Sequence, residues 1–128
     1  MKINPKQIEA VLTLPGPKRY AHFIKVVADQ RYVWGLYSDG WALVGTDDGK
    51  QAFPLWPARE YAERCICGEW SGYQPREIDL DTTFECLFPK LMASGTEVAI
   101  FPTPVQKGVI PGLKQLESDL REELEKIE

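Results

Sequence analysis

The spacing of apolar residues changes along this chain, and each change marks an element. Ile8, Val11 and Leu12 share one helical face. Asn4 is placed to cap that helix, Pro5 suits its first position and Gln7 can complete a capping box, with Ile3 and Ile8 as a staple. Pro15-Gly16-Pro17 cannot continue the helix beyond Leu14. A second helix is predicted from Pro17 to about Asp29, because Tyr20, Phe23, Ile24 and Val27 recur at the spacing of one helical face. Lys18, His22, Lys25 and Asp29 fall opposite, so the single histidine is expected on a polar face, in solvent.

After this helical pair (4–29) the period shortens to that of β-strands. Tyr32–Ser38 and Trp41–Thr46 are rich in aromatic and branched residues and flank Asp39-Gly40, a hairpin signal. Asp48-Gly49 repeats it before Gln51–Trp56, which predicts an antiparallel meander over 32–56. Pro54 cannot donate a ladder bond, so the third strand is expected at an edge or with a bulge.

Helices and strands follow over 57–110. Pro57 starts a helix to about Cys65, and 68–75 reads as a loop. Phe84, Leu87, Phe88, Leu91 and Met92 form another helical stripe, started from Asp81 or Thr82, stopped near Gly95 and kinked or broken at Pro89. Glu97–Phe101 reads as a buried strand, beside which Gly108–Ile110 can return. Leu113, Leu116, Leu120, Leu124 and Ile127 give an amphipathic C-terminal helix over 112–127. The fold class is α+β, an antiparallel β-meander with one or two further strands packed against several helices, in a single domain spanning 1–128.

A length of 128 residues and 44% hydrophobic content suit one core. The opening Met1-Lys2-Ile3-Asn4 lacks the apolar run of a secretory leader, no stretch is apolar enough to span a bilayer, and Cys65, Cys67 and Cys86 make no even disulfide framework. Free thiols and a cytoplasmic location are expected, with no membrane partner. Residues 1–31 carry six Lys/Arg against two acids, whereas 117–128 carry six acids against two bases. The basic stretch around Lys18, Arg19 and Lys25 falls short of a nucleic-acid footprint.

Recognisable catalytic chemistry is missing from this pattern. Cys65-x-Cys67 is too close for a zinc knuckle, and only Cys86 and His22 remain to complete four ligands. No nucleophile elbow, His-Glu-x-x-His helix, Walker loop or dinucleotide fingerprint occurs. We therefore expect no catalytic residues, no metal and no cofactor. A general acid–base pair remains open, since such groups are usually distant in sequence.

The aromatic residues are the informative part. Trp34, Tyr37, Trp41, Phe53 and Trp56 crowd the meander, with Tyr61 just beyond. Alternate strand residues face opposite sides, so one layer of helices cannot cover all of these rings. Either half fill the core and half pave a partly covered face, or the second set recognises a partner. The leucine seam of the last helix is read the same two ways, as docking on its own core or as a weak homodimer contact.

Several strings carry a resemblance. Asn4-Pro5-Lys6-Gln7-Ile8, Arg19-Tyr20 with Phe23, Trp34-Gly35-Leu36-Tyr37, Asp39-Gly40-Trp41-Ala42, Pro54-Leu55-Trp56-Pro57, Glu60-Tyr61-Ala62 and Phe101-Pro102-Thr103-Pro104 followed by Gly108-Val109 resemble the bacterial domain of unknown function 2750 family. The resemblance implies a bacterial, stand-alone, cytoplasmic protein with no assigned activity, and it transfers no catalytic or cofactor residue. The expected function is a non-catalytic protein-interaction module whose surface uses Trp34, Trp41, Trp56, Arg59, Glu60 and Tyr61. The alternative is a small ligand-binding protein or enzyme with a cleft near the 57–65 helix, Arg59 and Glu60 supplying its polar groups and Trp56 a wall.

Overall fold

The computed structural model describes residues 3–127. Met1, Lys2 and Glu128, part of the span expected as one domain, lie outside the described residues. Helix α1 (Pro5–Leu12) starts as its cap requires, the Asn4 side chain accepting from the Gln7 amide at 2.9 Å. Helix α2 (Gly16–Gln30) buries Phe23, Ile24 and Val27 as its stripe demands, and with them Arg19. Helix α6 (Leu113–Ile127) lies along α2, burying Leu116 and Leu120, and the Tyr20 hydroxyl donates to Asp119 at 2.5 Å. Leu116 and Leu120 of the seam are thus spent on the chain's own core, Leu113 and Leu124 are half-buried, and Ile127 is exposed.

Two small sheets occupy the middle. Strand β1 (Tyr32–Tyr37) pairs antiparallel with β4 (Gln74–Asp79), in register from Tyr32 opposite Asp79 to Tyr37 opposite Gln74. Strand β3 (Gln51–Leu55) lies between β2 (Val44–Gly45), antiparallel to it, and β5 (Glu97–Ile100), parallel to it. The expected meander over 32–56 is divided between the two sheets: Tyr37 and Trp41 form one bridge across the Asp39-Gly40 turn, and the second strand shortens to β2, paired with β3. The long partner of β1 is nevertheless β4, and β1 meets β3 through one Trp34–Trp56 bridge, 2.9 Å in both directions. β5 is the further strand expected at 97–101, and Val109 returns beside Ile100 as an isolated bridge, whereas β4 is unexpected and overlaps the loop predicted over 68–75. The class is α+β.

Pro54 differs from expectation, because β3 is central and not an edge. Backbone alternation explains why this is tolerated. Trp56 exchanges both bonds with Trp34, while the Leu55 carbonyl accepts from Phe101 on the opposite side. Pro54 therefore faces the Trp56 side, in the gap between the Val44–Ala52 pair and the Trp34–Trp56 bridge. Its missing N–H falls where no strand asks for it.

The parallel β3–β5 pair needs a crossover. Its parts are α3 (Arg59–Glu63), a 3₁₀ turn (Gly68–Trp70), β4, and then one helical run: α4 (Leu80–Thr82), a π-helical turn (Thr83–Leu87) and α5 (Phe88–Ser94). The expected break at Pro89 takes the form of that π turn. Pro89 has no N–H to give Glu85, and the Phe88 amide reaches back to the Thr83 carbonyl instead. Gly95, at φ +70°, ends the run. Buried residues from α1 to α6 form one apolar cluster, with Phe23, Trp56, Tyr61 and Phe101 fully enclosed. Among the described residues no helix is long and apolar enough to cross a membrane.

Candidate functional site

Alternation along β1 sends Tyr32 and Trp34 to one side of the strand. There, α2 and the start of α3 leave a cleft of about 780 Å³. His22, Lys25 and Asp29 of α2 line it, as do Arg59, Glu60 and Tyr61. Its shape is set by Gln30, whose amide nitrogen donates to the Tyr32 carbonyl at 2.9 Å and the Pro57 carbonyl at 2.6 Å. One side chain thus ties the end of α2 to both β1 and the approach to α3.

Tyr61 is at the floor of this cleft and is fully enclosed. Its ring packs on Phe101 at 4.8 Å and meets His22 edge-on at 6.2 Å. The Tyr61 hydroxyl has no hydrogen-bond partner among the described residues. Burial, then the Glu60 charge, raises its pKa above the usual phenol value. His22 is half-buried rather than in solvent, because α3 and Phe101 cover the side of α2 that its own periodicity leaves polar. Burial lowers its pKa below 6.5, so it faces the cleft as neutral imidazole at neutral pH. Tyr32 and Trp34 meet edge-to-face at 6.1 Å, both half-buried. Arg59 lies 3.6 Å from Glu63 in a solvated ion pair of little energetic weight.

Of the six residues singled out by sequence, Trp34, Arg59, Glu60 and Tyr61 come together here; Trp41 and Trp56 do not. Trp56 is wholly enclosed and its indole N–H donates to the Pro102 carbonyl at 2.9 Å, so it is a core residue and forms neither surface nor cleft wall. Tyr61, also wholly enclosed, offers a floor and not an exposed face. Trp41 lies on the other side of β1, over Gly35. A Cβ on Gly35 would sit 3.0 Å from the indole. Tyr37 (5.1 Å) and Phe53 (5.5 Å) flank Trp41, and the Arg76 guanidinium stacks 4.5 Å above the Tyr37 ring.

His22, Tyr32 and Arg19 were missed by sequence reasoning. Tyr32 follows from strand alternation with Trp34. Arg19 sits four residues before Phe23, on the buried stripe, and that spacing was a usable signal. Burial pushes the Cys65 thiol up to about 11, with a weak bond to the Pro102 carbonyl at 3.5 Å; Cys67 and Cys86 are exposed. Such a thiol is a poor nucleophile. Among the described residues no three His, Cys, Asp or Glu side chains converge as metal ligands.

No curated protein and no solved structure matches the chain. A family model described as "Protein of unknown function (DUF2750)" matches residues 20–120, which include the cleft-lining residues of α2, β1 and α3. On that match across most of its length, the chain belongs to the DUF2750 family.

Proposed function

We propose that this chain is a non-catalytic binding module whose recognition site is the cleft between α2, β1 and the start of α3. The convergence of Trp34, Arg59, Glu60 and Tyr61 on one concavity carries the reading. Its volume lies within the range of about 300–1,000 Å³ usual for ligand sites. Tyr32 and Trp34 supply an aromatic wall, while Lys25, Asp29, Arg59 and Glu60 set charges of both signs around the opening. That mixture suits a segment of a protein partner carrying an apolar side chain between polar ones. The free thiols at Cys65, Cys67 and Cys86 support a reducing cytoplasm as the setting, and the family resemblance supports a bacterial one.

Trp34 is the residue to test, since replacing enclosed Trp56 would disturb the core. In a pull-down from native lysate, a partner held by wild type and by Trp41→Ala should be lost with Trp34→Ala. Equal recovery with Trp34→Ala would remove the cleft from consideration. A small-molecule ligand is the second reading, favoured by the Tyr61 hydroxyl, which has no partner among the described residues. A metabolite panel scored by thermal shift tests it, because a ligand that binds only the folded state raises its midpoint. No shift from any compound would sink that version.

A further inference from the structure

The polar groups inside the cleft between α2, β1 and α3 are mainly acceptors. Gln30 uses its amide nitrogen on the Tyr32 and Pro57 carbonyls, so what it keeps for the cleft is its carbonyl oxygen. His22 is half-buried and neutral, with a lone pair on one ring nitrogen. At the floor, the fully enclosed Tyr61 has a hydroxyl with no hydrogen-bond partner among the described residues. An enclosed hydroxyl with nothing to bond destabilises the fold, and a bound group relieves that.

The charges point the same way. Arg59 lies 3.6 Å from Glu63, and Glu123 lies 3.5 Å from Lys126, so each is offset by a neighbour on its own helix. Lys25 and Asp29, exposed and one turn apart on α2, offset one another at the rim. That leaves Glu60, a half-buried carboxylate that forms no ion pair among the described residues and whose charge is felt by the Tyr61 phenol. The apolar wall is a corner, Tyr32 and Trp34 meeting with their planes 79° apart. Such a corner offers a ring face both to a cation and to the methylenes that carry it.

We propose that the cleft takes an alkylammonium group, the side chain of a lysine in the partner segment, with its methylenes along Tyr32 and Trp34 and its N–H donors shared among Glu60, Tyr61 and Gln30. This rests on the cleft being the recognition site and names the residue that enters it. A guanidinium presents a planar fork suited to one carboxylate, whereas these acceptors stand on separate helices and suit the compact charge of an ammonium. A carboxylate ligand would depend on cations already offset by Glu63 and Asp29 while facing Glu60.

The test uses a lysine peptide, acetyl-Gly-Ala-Lys-Ala-Gly-amide, and its norleucine counterpart, which keeps the stem and drops the charge. Each is titrated into isotope-labelled protein while the indole N–H signals are followed by NMR. The Trp34 signal, identified by its loss in Trp34→Phe, should move with half-saturation at about 1 mM, and the Trp41 signal should stay in place. The norleucine peptide should bind about tenfold more weakly or worse. Glu60→Gln and Tyr61→Phe should each weaken the lysine peptide by about threefold or more, with melting midpoints reporting that the fold is intact. A lysine peptide that leaves Trp34 unmoved at about 10 mM, or a norleucine peptide bound as tightly, would overturn the ammonium proposal. The second result keeps the cleft as a site for an apolar side chain, and after the first the Trp34→Ala pull-down still decides the cleft, so the two readings fail separately.

Discussion

The two sides of β1 carry similar rings and meet different fates. On one side, the half-buried Trp41 ring packs against Gly35, with Tyr37, Phe53 and Arg76 around it. On the other, Tyr32 and Trp34 keep their open edges toward a cleft, because Gln30 holds α2 and the approach to α3 apart at its own span. Aromatic density is thus shared by a patch that covers itself and a patch that leaves room. A glycine and an arginine make the first case, and an amide tie makes the second.

The largest effect is expected from the enclosed ring whose backbone is bridged to Trp34. Trp56→Ala empties a fully enclosed site and leaves the Pro102 carbonyl only its weak bond from the Cys65 thiol; denaturant unfolding should register a loss of about 3–5 kcal/mol. A loss below about 1 kcal/mol would show that Trp56 is not the core residue described. Gly35→Ala acts on the closed side alone. Its new Cβ meets the Trp41 ring, so a loss of about 1–3 kcal/mol is expected, together with a shift in tryptophan fluorescence as the indole lifts. Unchanged emission would mean that Trp41 does not rest there.

Two smaller effects belong to the cleft. Tyr61→Phe deletes a hydroxyl that has no partner among the described residues, so stability should stay within about 1 kcal/mol of wild type or rise. The same change should weaken any cleft ligand that uses the hydroxyl; a clear destabilisation would reveal a partner for it. The smallest effect is a pH slope. His22 has a folded pKa below its unfolded value of 6.5, so its neutral form favours the fold. Between the two pKa values the unfolded chain binds more protons, and stability falls as pH drops below about 6.5. Melting midpoints between about pH 5 and 7 should show this decline for wild type, and His22→Gln should flatten it. An identical slope in both would clear His22 of the effect.

Where local rules act alone, the sequence was readable. Helices α1 and α2 begin at Asn4 and the Pro15-Gly16-Pro17 break because caps and prolines act on their own neighbours, and Gly95 ends α5 for the same reason. Strand β4 escaped notice because Gln74-Pro75-Arg76-Glu77 is polar, holds a proline and owes its conformation to β1. The site was half legible. Trp34, Arg59, Glu60 and Tyr61 stood out by residue type, yet whether Trp56 faces outward depends on Pro102, 46 residues away. His22 was misplaced because a helical face reports only one contact surface, and a second element covered the remainder.

The latch that residues 101–107 form over Trp56, Tyr61 and Arg19 also sets a timetable for synthesis. A ribosome adds about 5–20 residues per second, and residues 1–100 emerge before any of that latch exists. During those seconds the indole of Trp56 lacks its carbonyl, Tyr61 lacks the Phe101 ring, and Arg19 lacks all but one of its acceptors. The parallel strand pair, which joins Gln51–Leu55 to Glu97–Ile100, can close only when residue 100 has been made, immediately ahead of the latch. A nascent chain of 100 residues therefore lacks both this seven-residue segment and helix α6, whose Leu116 and Leu120 complete the core, and is more open to proteases and chaperones than the finished fold.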